Sequence, residues 1–141
     1  MTTLLLTLIA ILVGDLALKA VLHRAMGTAA ISLGALGSIQ LADGRLWLRQ
    51  LRKAPGAYML WGVWVAAAAT LAAGSQWIPL SPMFAGLLLG GSLGNAVEHA
   101  QRGAISDYVR LRFWPAFNLA DAAIALGATG IVAQLLLRLA A

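Results

Sequence analysis

Cysteine is absent from all 141 residues. That excludes disulfides, thiol nucleophiles and cysteine metal sites together. Histidine occurs twice, as His23 and His99, too few for a convincing metal centre, so no metal and no cofactor is expected. Charge is also scarce: Asp, Glu, Lys and Arg make up 11% of the chain against 61% apolar residues, and the mean hydropathy is +0.85. A soluble domain is usually about a quarter charged. So few charges cannot cover a water-facing surface, and lipid is the expected solvent. Acidic residues number five against ten basic ones, for a net charge of +5. Basic residues beside apolar spans more often meet lipid phosphates than nucleic acid, so membrane lipids are the expected partner and nucleic acid is not.

The length suits one domain, 1–141. From Ala54 to Val97 no residue is charged. A bilayer core needs about 20 apolar residues per helix, so this stretch is two helices and a turn. The turn falls between Gly74 and Pro82, where Pro79, Pro82 and Gly74 stop helices from continuing. The expected fold is an all-α integral membrane protein with four transmembrane helices, at about 4–22, 57–74, 83–99 and 121–138. The first apolar run sits where a signal peptide would, but no basic segment precedes it and Asp15 and Lys19 interrupt it, so no cleavage is expected. In the first loop, Ala29 to Leu33 and Ser38 to Leu41 read as short strands, with Gly34, Gly37 and Gly44 as turn points. Arg45, Trp47 and Arg49 read as an interfacial segment, and Trp61, Trp64, Trp77 and Trp114 as an aromatic belt.

Charges inside a membrane are costly, so each is a candidate functional group. Asp15 and Lys19 lie one helical turn apart on one face. They either neutralise each other or orient and contact a substrate. Asp107 follows the third helix, and Asp121 sits at the start of the fourth. The intervening segment contains Pro115 and must fold back sharply, which would bring the two carboxylates to one membrane edge. Carboxylates at close range share one proton: the ionised one takes a proton from water and the protonated one donates to the carbonyl or the leaving amine. Taken singly, Asp107 also fits a solvated loop residue, and Asp121 a charge that favours the helix dipole. Asn118 fits a cap of the fourth helix. Gly86, Gly90 and Gly94, spaced by four, form a small-residue stripe that lets another helix approach and fixes Asn95 and Glu98.

Three runs carry a resemblance: Gly90-Gly91-Ser92-Leu93-Gly94-Asn95, Arg102-Gly103-Ala104-Ile105-Ser106-Asp107-Tyr108 and Trp114-Pro115-Ala116-Phe117-Asn118-Leu119-Ala120-Asp121-Ala122-Ala123-Ile124. Together with Gly14-Asp15-Leu16-Ala17-Leu18-Lys19 they resemble the lipoprotein signal peptidases (signal peptidase II), across the whole chain. The resemblance implies a four-helix aspartyl endopeptidase of the bacterial inner membrane that removes the signal peptide from a diacylglyceryl-modified prolipoprotein. It implies that Asp107 and Asp121 are the catalytic pair, and that Asn118, Asn95, Asp15 and Lys19 shape the site or contact substrate. A monomer, with the lipidated prolipoprotein and membrane lipids as partners, is expected.

The family pattern continues Gly-Asn-x-x-Asp-Arg, whereas this chain has Glu98 and His99, with Arg102 one turn on as a substitute cation. The family's Asn-x-Gly-x-Ala-Phe motif in the first loop is missing, and Asp43-Gly44-Arg45 stands at about its place. Such departures leave room for a divergent paralogue with another membrane substrate, or for a non-catalytic membrane binding protein. A small transporter whose polar path is lined by Asp15, Lys19, Glu98 and the aspartates is the other class. Topology is contested: Arg24, Arg45, Arg49, Arg52, Lys53, Arg102, Arg110 and Arg112 lie in the two polar loops, which the positive-inside rule places in the cytoplasm. The family resemblance implies the reverse, and the expectation follows the family.

Overall fold

The computed structural model describes residues 1–26, 29–43, 57–74 and 80–140. The order of elements is α1 (Thr2–Met26), β1 (Ala30–Ser32), a single 3-10 turn (Gly34–Leu36), β2 (Gly37–Asp43), α2 (Ala57–Gly74), α3 (Pro82–Arg102), β3 (Ser106–Leu111) and α4 (Leu119–Leu139). All four expected helices are present. Gly44, Arg45, Trp47, Arg49, Arg52, Lys53 and Trp77, along with most of the turn between α2 and α3, lie outside the described residues.

Proline and glycine set the limits of α3. Pro82 occupies its first turn, where a missing N–H costs nothing, and Gly103 ends it with φ +70, donating its N–H to the His99 carbonyl at 2.8 Å. Glycine also decides how α3 packs. A Cβ at Gly86 would lie 2.8 Å from the Leu4 carbonyl oxygen, and one at Gly90 2.7 Å from that of Leu8, so this stripe is the seat of α1. On α4, a Cβ at Gly127 would lie 2.6 Å from the Leu88 amide, so α4 settles against the other side of α3 by the same device. The second helix packs on α3, where the Trp64 indole donates to the Leu89 carbonyl at 3.0 Å.

The expectation of an all-α chain with a small β extension is refined. β1, β2 and β3 form one antiparallel sheet in that order. The third strand comes from the segment after α3, which the sequence placed as a loop. Its Ser-Asp-Tyr-Val-Arg-Leu composition is compatible with a strand, but only pairing with β2 makes it one. Ile39 pairs with Val109 and Ala42 with Asp107, so β2 carries one extra residue, a bulge, beside Asp107. The chain then reverses through Pro115, and Phe117 bridges Val109 with bonds of 2.9 and 3.0 Å. This turn delivers Asn118 directly beneath β3.

Burial is inverted relative to a soluble domain. Lys19, Glu98, Asn118 and Asp15 are the largest fully buried side chains. The outward residues of α1 and α4 include Leu6, Ile9, Val13, Leu126, Leu136 and Leu137. By length and composition α1 and α4 are each able to cross a membrane.

Candidate active site

The site is built around Asn118. It caps α4: its Oδ1 accepts the Asp121 N–H at 2.8 Å, while Asp121 Oδ2 accepts the Asn118 N–H at 3.2 Å, a reciprocal capping box. The expected cap is therefore present. The same side chain also reaches the strand. Its Nδ2 faces Asp107 Oδ1 at 3.1 Å, the Ser106 carbonyl at 3.3 Å and Asn95 Oδ1 at 3.3 Å. Both aspartates therefore hang on one buried asparagine, although one lies on a strand and the other on a helix.

Asn95 fixes the other oxygen of Asp121, donating from Nδ2 to Asp121 Oδ1 at 2.8 Å. Its amide orientation is set by Lys19, whose ammonium can only donate and meets Asn95 Oδ1 at 3.0 Å. Lys19 Nζ also lies 2.6 Å from Asp15 Oδ2 and 2.9 Å from Glu98 Oε2. Its ammonium thus donates to one amide oxygen and is ion-paired with two carboxylates. Asp15 Oδ1 accepts the Ala120 N–H at 3.1 Å, one of the amides a helix start leaves unpaired. Glu98 Oε2 accepts the Ser106 N–H at 3.1 Å, tying β3 to α3.

Asp15, Lys19, Glu98, Asn95, Asn118, Asp107 and Asp121 therefore form one hydrogen-bonded cluster. Arg102 is not among them: it is exposed in the last turn of α3. Sequence reasoning missed three participants. Ser106 holds Glu98 and Asn118 through its backbone, and its Oγ lies 3.0 Å from His23 Nε2. The Tyr108 hydroxyl accepts the Leu119 N–H at 2.8 Å. Alternation along β3 places Ser106 and Tyr108 on the buried face, a signal that exists only once the strand is recognised.

Burial first, then the charge of Asp121, pushes the Asp107 carboxyl up to about 6; the Asn118 amide and Lys19 pull the other way. Tyr108 is pushed up to about 12, chiefly by burial, and stays neutral. One lysine already faces Asp15 and Glu98, so nothing in the cluster neutralises two further carboxylates.

A profile of signal peptidase (SPase) II matches residues 7–137. This chain belongs to the signal peptidase II family. It is 46% identical over 59 residues to the lipoprotein signal peptidase of Moorella thermoacetica, covering 42% of this chain and 39% of that protein. With the lipoprotein signal peptidase of Polynucleobacter necessarius it shares 36% identity over 100 residues, covering 65% of this chain and 56% of that protein. The matched segments span less than two thirds of these relatives' own length. A bacterial membrane enzyme solved by the in meso method at 1.9 Å shares the fold, with a TM-score of 0.80, 18% identity, and coverage of 96% of this chain and 94% of that one.

Against the family pattern, Glu98 stands where an aspartate is usual and holds both Lys19 and the Ser106 amide. Asp43 of the substituted first-loop segment ends β2 opposite Ser106 in the sheet register, one residue from Asp107. Gly44 and Arg45 of that segment lie outside the described residues.

Proposed function

We propose that this chain is a membrane aspartyl endopeptidase that removes the signal peptide from diacylglyceryl-modified prolipoproteins, using Asp107 and Asp121 to activate one water. The observation that carries it is the attachment of both carboxylates to Asn118, 3.1 Å for Asp107 and 3.2 Å for Asp121. Membership of the signal peptidase II family supports the substrate class.

Asp121 accepts two hydrogen bonds, from the Asn118 N–H and Asn95 Nδ2, while Asp107 accepts one, from Asn118 Nδ2, so Asp121 is the better-held anion and serves as base, and Asp107 holds the shared proton. Water attacks the scissile carbonyl carbon and gives a proton to Asp121. Asp107 gives its proton to the carbonyl oxygen. Collapse of the tetrahedral intermediate breaks the C–N bond, and the amine leaves with a proton from the pair. Asn95 and Asn118 keep both carboxylates in place, while Asp15, Lys19 and Glu98 support those asparagines and β3 and do not face the substrate.

We further propose a single 1–141 domain in which all four helices span the bacterial inner membrane, with the sheet and the site at the outer edge. The inverted burial supports this arrangement: charged groups inside, Leu and Val outside.

The test is cleavage of a diacylglyceryl-modified prolipoprotein by purified protein in detergent, beside Asp107→Asn and Asp121→Asn. Cleavage before the lipidated cysteine by the wild type, lost in both folded variants, supports the dyad. A folded wild type that is inert on several such substrates would sink the peptidase and favour a binding protein.

A further inference from the structure

The second concentration of charge lies at the tip of the sheet. A cleft of about 380 Å³ is lined by Gly34, Ala35, Gly37, Ser38, Arg110, Leu111 and Arg112. That volume is in the range of small-ligand sites. Both arginines are exposed, and among the described residues neither joins an ion pair. The chain itself offers few anions to pair with them. Of its five acidic residues, Asp15, Glu98, Asp107 and Asp121 belong to the active-site cluster, and the fifth, Asp43, pairs with Ser106 at the other end of the strand pair from Arg110.

The surroundings of the cleft are apolar. Leu36 is 74% exposed, Phe113 89% and Trp114 67%. The Arg112 guanidinium lies 5.4 Å from the centre of the Phe113 ring, which orients it without neutralising it. Exposed aromatics next to arginine suit a level where one end of each side chain meets hydrocarbon and the other meets phosphate. The sheet stands at such a level: β1 follows the C-terminal end of α1 within a few residues, and β3 leads through the Phe117 bridge into the N-terminus of α4, the two helices able to cross a membrane.

We propose that this cleft binds the phosphate of an anionic phospholipid, with Arg110 and Arg112 on the phosphate and Leu36, Phe113 and Trp114 among the adjoining lipid. Guanidinium forks match phosphate oxygens bidentately, and two of them discriminate an anionic headgroup from a zwitterionic one that carries its own cation. The site is separate from the catalytic cluster and anchors the sheet that carries Asp107. The proposal rests on α1 and α4 spanning the membrane.

The test is native mass spectrometry of the full chain released from detergent micelles containing equal phosphatidylglycerol and phosphatidylcholine. The wild type retains phosphatidylglycerol preferentially. Arg110→Gln/Arg112→Gln lowers that preference about tenfold or more, whereas Arg138→Gln, at the far end of α4, leaves it unchanged. Arg110→Lys/Arg112→Lys, which keeps the charge but not the fork, shows an intermediate loss and serves if the glutamine pair does not fold. Equal retention of both lipids by the wild type, or an unchanged preference in the glutamine pair, overturns the proposal. Displacement of the lipid by inorganic phosphate at equal concentration also overturns it, since the site would then read a free anion. Unchanged lipid preference with weakened prolipoprotein binding would assign the arginines to the peptide instead. A chain that does not partition into membranes defeats the spanning arrangement itself; an inserted chain without lipid preference defeats only the cleft.

Discussion

Two groups of charge in this molecule are handled in opposite ways. At the junction of α1, α3, β3 and α4, the charged side chains are held from within: Lys19 by Asp15, Glu98 and Asn95, and the two aspartates by Asn118. At the sheet tip, Arg110 and Arg112 line an open cleft with no ion pair among the described residues. The first arrangement stabilises the fold only as a whole, because each group removed strands another out of water. The second contributes little to the fold and leaves its charge available. Internal satisfaction marks a group that positions chemistry, and surplus charge marks a group that needs a partner from outside.

The comparison breaks most sharply at the dyad. Asp107→Asn and Asp121→Asn are each expected to lower kcat/KM by about a thousandfold or more, about 4 kcal/mol of transition-state stabilisation, with a preserved melting transition in detergent. Lys19→Met should destabilise by about 3–5 kcal/mol, because it leaves Asp15 and Glu98 buried without their cation; thermal unfolding would reveal it, and a shift near zero would mean the cluster is not charged as described. The pH profile follows from Asp107. Its carboxyl sits near 6, above the ordinary 3.8, so it keeps its proton below about pH 6 and loses it above. Cleavage efficiency of the free enzyme should fall about tenfold per pH unit on that alkaline limb. A flat profile between pH 5 and about 8 would remove the acid role from Asp107.

Packing tests are smaller. Gly90→Val should destabilise by about 1–3 kcal/mol, since a Cβ there would lie 2.7 Å from the Leu8 carbonyl oxygen and α1 must move away. Gly62→Ala, in α2, meets nothing within 4 Å and should stabilise by about 0.5–1 kcal/mol. The smallest effect sharpens the contrast: Arg110→Gln/Arg112→Gln should leave unfolding within about 0.5 kcal/mol of wild type, despite removing two charges.

Residue spacing alone made the helices legible, because lipid imposes a length and an apolar composition that few other environments demand. The glycine stripe announced a close helix contact without naming its partner, which is α1. Asn118 was readable as a cap from its place before an apolar run. Its second set of contacts, to Asp107 and Asn95, was not, because those residues approach it only when α3 and β3 are packed. Asp15 and Lys19 looked self-sufficient along one helix, yet Asp15 also binds the Ala120 amide and Lys19 also binds Glu98 and Asn95. Arg102 had the right charge and nearly the right spacing, but at the last position of α3 it is exposed and outside the cluster.

What the sequence determined by itself was composition and inventory: a chain poor in charge, four helices, and a handful of polar residues too costly to bury without purpose. Which of those residues meet was decided by tertiary structure alone. Strand β3 exists through hydrogen bonds to β2, a partner more than sixty residues away, and the bulge and the Phe117 reversal then set Asp107 above the start of α4. No local propensity encodes such a pairing, because its energy appears only when distant backbone groups close on each other and leave water together.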